Sequence, residues 1–411
     1  MELKTNYQYT YFIYPYAIKK SNYKNYIKSL IKKQRFQIKF FDGFKDIDLY
    51  NYFLPSIKKK YFQNFTFSKE KINVFEKLGT LNQRKILTEQ GCIMFEYLLK
   101  DECQGKTEEQ EGIFFTINKI KLICFKTGIC FLLIKTHIEG SDNFSDILNF
   151  NYKFSNLNFE TKNLKNINNI KIQTDKFSSM KQIKQFIEQI IGKKLINNEL
   201  DIDENAFQIY TYACVDSKYW NKDNDFKNIE KEFYKMSEVK ESSTNDYKEF
   251  EKLNMLSNSS FMRLRITPKC CALICSSTEN SNYTKLPYKY ENEYLYTYII
   301  SLHERYYLKN IKSQLEKCKN NEENIKMLID SIEEVTDTEI TQESFGQKIH
   351  QRCKKKFNIK ELYEDLKERY DIFYKKAKIE KYTKVTSILL IIMALCLLVS
   401  VSNLVAWWYL K

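Results

Sequence analysis

His137, His303 and His350 are the only histidines in a chain that also carries 11 cysteines and 52 acidic residues. Acid–base, nucleophilic or metal chemistry would have to be assembled from these groups. The histidines stand far apart, and only Cys270, Cys271 and Cys275 lie close together, without the paired C-x-x-C units that hold zinc. No G-x-S-x-G, glycine-rich phosphate loop or H-E-x-x-H occurs in the sequence. Reduced thiols are therefore expected, and an enzyme is not. His303, Glu304 and Arg305 form one compact set that could touch a ligand, although a helix with tyrosines on neighbouring turns reads equally well as packed. Glu361, Glu364 and Asp365 could hold a hydrated divalent cation, but Lys360, Lys367 and Arg369 offer them simpler pairing along a helix.

The strongest physical signal is one of solvation. Residues 385–410, VTSILLIIMALCLLVSVSNLVAWWYL, contain no charged side chain. As a helix they reach roughly 39 Å, more than the roughly 30 Å hydrocarbon core of a bilayer. The 12 Leu, Ile and Val residues between positions 388 and 405 favour insertion by about 5 kcal/mol in total, against a modest penalty from Asn403. Within this span Cys396, Ser400, Asn403 and Trp407 fall at i, i+4, i+7 and i+11, one face of a helix. Polar groups in hydrocarbon seek partners, so this face is expected at a helix contact or lining a pore made by several copies.

Lys375, Lys376, Lys378, Lys381 and Lys384 precede the span and Lys411 follows it. The positive-inside bias puts the first 384 residues in the cytoplasm. Lys381 and Lys384 then mark one membrane interface, and Trp407, Trp408 and Tyr409 mark the other. No signal peptide is read at the start of the chain. The expectation is a tail-anchored, single-pass membrane protein with the lipid bilayer as its partner.

Net charge is +14, with 43% apolar residues. Richness in Asn, Lys and Ile gives the positive balance a compositional cause. No basic region interleaves aromatics as RNA-binding motifs do, so a nucleic-acid partner is not expected. The soluble part is long enough to bury a substantial core.

The elements that would position these groups read as follows. Residues 7–14 form a strand closed by Pro15, and residues 23–41 a lysine-dense helix whose basic face is solvated or meets a phosphate or lipid headgroup. Residues 113–117, 120–125 and 129–135 are three strand-like runs, the last two joined by Lys126-Thr127-Gly128 as an antiparallel hairpin. Bulky residues on both sides of the alternation predict a sheet covered on both faces. Residues 145–151 and 177–192 predict helices, the latter with Met180, Ile183, Ile187, Ile190 and Ile191 as its apolar stripe and Gly192 as its stop. Residues 207–214, 261–266 and 271–275 are further strands, and 216–260 is a mobile insertion with some helix.

After Pro287 the signals are helical throughout. Helices are expected over 292–316, over 322–335, and from about 342 straight into the membrane. In the last of these Ile359, Leu362, Leu366, Tyr370 and Phe373 recur at three and four residues, close to a heptad seam that would pack against copies of the same chain. The domains are thus 1–286, an α+β cytoplasmic domain with a mixed or antiparallel sheet covered by helices; 287–384, a helical stalk; and 385–410, one C-terminal transmembrane helix.

This layout, with the hairpin CFKTGICFLLI and the segment YLYTYIISLHERYYL, resembles the divergent CorA-like proteins of bacteria, relatives of the CorA magnesium-transporter superfamily. The resemblance implies a homo-oligomer whose stalk helices line a conduction path, with ion transport or a role as a membrane effector in antiviral defence switched by a nucleotide. A divalent cation and a nucleotide ligand are thereby implied, with no residue assigned to either. The chain departs from that pattern in having one span and no Gly-Met-Asn. The competing expectation is a non-conducting, membrane-anchored scaffold or receptor.

Overall fold

The computed structural model describes residues 3–33, 35–42, 46–62, 65–66, 74–75, 77–99, 103–107, 112–155, 170–173, 181–192, 207–244, 255–317 and 339–409. They form two compact units. One comprises Met1–Tyr307 with Asp337–Ile359, and the other Leu308–Thr336 with Lys360–Lys411.

The first unit is built on an 11-stranded sheet. Its strands are β1 (Thr5–Ala17), β2 (Phe36–Ile38), β3 (Cys92–Tyr97), β4 (Cys103–Thr107), β5 (Phe114–Phe125), β6 (Ile129–Glu139), β7 (Ile170–Gln173), β8 (Lys181–Gln182), β9 (Gln208–Val215), β10 (Met262–Ile266) and β11 (Cys270–Ser276). The order is β8-β7-β4-β5-β6-β1-β9-β11-β10, with β3 on the second half of β5 and β2 on β3. Every pair is antiparallel except β9–β11. β9 and β11 are buried along their whole length, which is why they read as unbroken apolar and aromatic runs.

Helices cover one face of the sheet: α1 (Lys20–Lys32), α4 (Thr80–Glu89), α5 (Phe144–Ser155), α6 (Ile183–Ile191) and α7 (Lys227–Glu238). Between α1 and α4 in the chain lie the short α2 (Ile47–Tyr52) and α3 (Pro55–Tyr61). Phe12, Tyr14 and Tyr16 of β1 share the covered core with Ile27, Phe154, Ile187 and Phe233, and Phe12 stacks on Phe154 at 3.7 Å. On the opposite face lie α8 (Lys285–Lys289), a π-helical turn at Tyr290–Tyr294, the start of α9 (Leu295–Lys317), and α10 (Ser344–Lys356). That interface is rich in tyrosine. Tyr210 stacks on Tyr290 at 4.1 Å, Tyr210 donates to the Tyr290 carbonyl at 2.7 Å, and Tyr9 donates to the Pro287 carbonyl at 3.1 Å. The last helix is α11 (Ile359–Tyr409). The fold is therefore a mixed α/β domain, its sheet helix-covered, plus one long C-terminal apolar helix.

Several expectations are corrected. Pro15 does not close the first strand: β1 runs on to Ala17, paired with β6. The β9 ladder ends at Ile13, so Pro15 occupies an edge position that tolerates its missing N–H. The helix expected over 23–41 ends at Lys32, because Phe36–Ile38 is drawn into the sheet by β3. The runs 113–117 and 120–125 are one strand, β5, with an irregularity between Ile117 and Lys119 that absorbs the break in alternation.

Gly128 closes the β5–β6 hairpin at φ 92°, and a Cβ there would stand 2.4 Å from the Ile18 carbonyl oxygen. Residues 216–244 of the expected insertion are packed, since α7 buries Ile229, Phe233 and Met236; 245–254 lie outside the described residues. Residues 287–307 belong to the sheet-containing unit. The helix expected from 342 into the membrane is broken at Asn358, whose φ is 54°, between α10 and α11. The segment 322–335 lies outside the described residues, as do 174–180, Leu410 and Lys411.

Candidate functional site

Two features carry chemistry, one in each unit. In the second unit α11 is 51 residues long, and its most apolar window has a mean hydropathy of 2.8 and is 0% buried. At about 1.5 Å per residue it rises roughly 76 Å, so a bilayer accounts for less than half of it. Leu389, Leu397 and Val401 are all more than half exposed. Water would solvate such a surface poorly, and lipid solvates it well.

Within the span the hydroxyls are satisfied locally. Ser400 donates to the Cys396 carbonyl at 2.9 Å, Ser402 to the Val399 carbonyl at 2.8 Å, and Ser387 to the Thr383 carbonyl at 2.9 Å. Ser400 therefore does not need a second helix to complete its hydrogen bonding. Cys396 and Asn403 are exposed. Lys381, Lys384, Trp407, Trp408 and Tyr409 are likewise exposed at the two ends of the apolar stretch.

The residues expected to form a seam are in part buried within the single chain. Leu366 and Ile359 are buried, while Leu362, Tyr370 and Phe373 are half-buried. Beside the seam Asp365 accepts from Lys312 at 2.7 Å and from Arg369 at 3.0 Å, and these bonds hold its carboxyl below the usual carboxylate range. Lys360 and Glu364 pair at 3.7 Å. Among the described residues no three acidic, histidine or cysteine side chains converge as a metal site requires.

In the first unit the polar groups gather where the π turn meets the sheet. Single π turns often coincide with functional sites, and this one carries Glu291 and Glu293. Glu291 accepts from the Lys135 ammonium at 2.6 Å and from the Tyr11 hydroxyl at 2.5 Å. Burial pushes the Glu291 carboxyl up, but Lys121 and Lys135 together with these hydrogen bonds outweigh it and leave the group below its usual range.

Lys121 is 5% exposed and sits 5.4 Å from the Tyr296 ring centre and 5.9 Å from that of Tyr11. Burial lowers its pKa, opposed by the charges of Glu291, Glu96 and Asp46. Two residues on, Glu293 lies 3.7 Å from Lys289, which is also 3.5 Å from Glu343. Burial, opposed by Lys289 and assisted by Glu343 and Asp48, pushes the Glu293 carboxyl up to about 7. One turn thus presents a carboxylate held ionised and a carboxyl poised to exchange its proton near neutrality.

His303, Glu304 and Arg305 do not converge. The His303 Nε2 meets the Thr127 hydroxyl at 2.8 Å, and its ring stacks on Phe125 at 3.8 Å. Burial, helped by Lys60, pushes its pKa down to about 3, so it is neutral throughout the physiological range. Glu304 is buried with Lys354 at 3.8 Å, and Arg305 donates to the Pro268 carbonyl at 2.8 Å. Consecutive residues on a helix point 100° apart, and each of these finds its own partner. His350 pairs with the Ser301 hydroxyl at 2.9 Å. His137 donates from Nδ1 to the Gln8 carbonyl at 2.7 Å beside a polar depression of 400 Å³ lined by Tyr7, Ser141 and Asp142.

The Glu291, Lys135 and Lys121 cluster leaves only a faint signal in the sequence. Lys121 alternates with Ile123 and Phe125 on one face of β5, Lys135 with Leu133 and Phe131 on one face of β6, and Glu291 and Glu293 stand at the head of an aromatic helix. Compared with protein-family models, curated proteins and solved structures, the chain finds no match.

Proposed function

We propose that this chain is an oligomeric, single-pass CorA-like membrane protein whose α/β unit faces the cytoplasm, senses a ligand there, and passes the response through its helical segment to a membrane pore or effector. The observation that carries the membrane half of the reading is the apolar window of α11, none of which is buried. Lys375, Lys376, Lys378, Lys381 and Lys384 on its N-terminal side support the cytoplasmic assignment. The sensing half rests on the π turn, where Glu291 and Glu293 meet Lys135 and Lys289. A nucleotide is the ligand class the resemblance implies, and no residue is assigned to it.

Reconstitution of the full chain into liposomes, with an ion-flux readout and a particle-mass measurement, tests this proposal. Flux from particles of several copies supports it, and a monomer that never conducts removes the pore.

A second reading, a non-conducting anchored scaffold or receptor, is favoured by the Ser400 hydroxyl, which is satisfied by its own helix at 2.9 Å. That leaves little polar surface to line a pore. Exchange of residues 385–409 for an unrelated apolar helix separates the two, since a scaffold keeps its activity and a pore former loses it.

A further inference from the structure

The helix α1 carries Lys20, Lys24, Lys28 and Lys32 at intervals of four, a stripe along one flank, and contains no acidic residue. Its inner side is committed to the core through Tyr23, Ile27 and Leu30. Lys20, Lys24 and Lys32 are exposed and Lys28 half-exposed, and none of the four has an ion-pair partner among the described residues. Four cations at this spacing repel one another along a helix, so the arrangement costs stability unless something outside the fold neutralises it.

The adjoining helix supplies a second, independent observation. α4 packs against α1 and buries Leu87 in the same core that receives Ile27. Its outer side shows Leu81, 58% exposed, and Ile86, 43% exposed, at the two margins of an arc that also exposes Lys85, Asn82 and Glu89. Apolar side chains standing in water on a helix packed against the lysine-bearing one have the composition of a surface that lies in a lipid headgroup layer. RNA would use the cations and leave Leu81 and Ile86 wet.

We propose that the outer faces of α1 and α4 form a peripheral contact for anionic phospholipid headgroups, with Leu81 and Ile86 entering the acyl boundary. This rests on the reading that the α/β unit lies on the cytoplasmic side of the bilayer crossed by α11, because that leaflet carries the negative lipids. The contact ties the sensing unit to the membrane surface at a second point. Its strength depends on lipid charge.

The test uses the full chain in nanodiscs of phosphatidylcholine alone or with phosphatidylserine, treated with an amine-acetylating reagent and read by mass spectrometry. The expected result is acetylation of Lys20, Lys24 and Lys32 slowed about fivefold or more in the anionic discs. Lys269, exposed on the β10–β11 turn, should be unaffected. Salt at about 0.5 M should remove most of the protection, because it shortens the screening length well below its physiological value.

Lys24→Glu with Lys28→Glu should abolish the lipid-dependent protection of Lys20 and Lys32, while Leu81→Ser with Ile86→Ser should remove the part that survives salt. Equal rates in the two discs overturn the proposal, and so does protection that arises only when single-stranded RNA is added. A chain that fails to co-elute with discs overturns the membrane reading itself. A chain held in discs with unprotected lysines overturns only this contact.

Discussion

Glu291 places its carboxylate 2.6 Å from the ammonium of Lys135 across the junction between the π turn and the sheet, and both side chains are more than four-fifths buried. Removing one partner strands the other in a poorly solvated place. Glu291→Gln is therefore expected to lower unfolding free energy by about 3 kcal/mol, whereas Glu291→Gln with Lys135→Met recovers most of it. Urea denaturation of the four members of the cycle measures both. The native carboxyl titrates below its ordinary 4.5, so its contribution is complete above pH 4.5 and disappears as the pH falls below that value.

Glu293 behaves in the opposite sense. Its carboxyl titrates at about 7 in the fold against an ordinary 4.5, so the folded state holds the proton more tightly than the unfolded chain. Stability is complete below pH 4.5 and is lost as the pH rises from 4.5 to 7. Glu293→Gln keeps the side chain neutral and should flatten this loss, leaving the variant more stable than the parent at pH 8 by on the order of 2 kcal/mol. At pH 4.5 the two should melt together. Thermal melts at the two pH values check it, with Lys289, Glu343 and Asp48 left unchanged as the surrounding charges.

Where periodicity was long or the turn chemistry sharp, sequence and structure agree. The hairpin around Gly128, the helix stripe of Ile183, Ile187 and Ile190, and the strands β9, β10 and β11 were legible, because each satisfies a local rule that tertiary contacts do not override. The apolar span was legible by its length alone. Phe36–Ile38 carries a helical pattern in the sequence, and its strand state depends on β3, more than 50 residues away. β3 and β4 likewise owe their strand state to distant partners. The candidate site was hidden by the distance between its parts. Tyr11, Lys121, Lys135 and Glu291 meet only once β1, β5 and β6 are in register, and no spacing along the chain announces that. Asn358 broke a helix the periodicity carried through, since a left-handed residue leaves no gap in an apolar pattern.

Gly128 is constrained twice, by a φ of 92° and by the Ile18 carbonyl oxygen 2.4 Å from where a Cβ would stand. The Ile18 amide in turn bonds the Gly128 carbonyl at 2.8 Å, so the hairpin tip cannot move away without releasing the end of β1. Gly128→Ala should destabilise the α/β unit by about 1–3 kcal/mol, read as a lowered denaturation midpoint. Gly140 has a similar φ of 72° with nothing nearby, and Gly140→Ala should cost less because only the backbone term remains.

Ser400 and Asn403 share a face of α11 but differ in what they need. The Ser400 hydroxyl is satisfied by the Cys396 carbonyl at 2.9 Å, whereas the carboxamide of Asn403 has donors and an acceptor that a single span cannot serve. In hydrocarbon, association of copies would relieve Asn403 and leave Ser400 indifferent. Asn403→Leu should weaken self-association by about 1 kcal/mol, roughly fivefold in the dissociation constant, and Ser400→Ala should leave it unchanged. Energy transfer between labelled copies in bilayers, followed over a dilution series, gives both constants. Equal values for parent and Asn403→Leu would mean that this face meets lipid and that the chain assembles elsewhere or stays single.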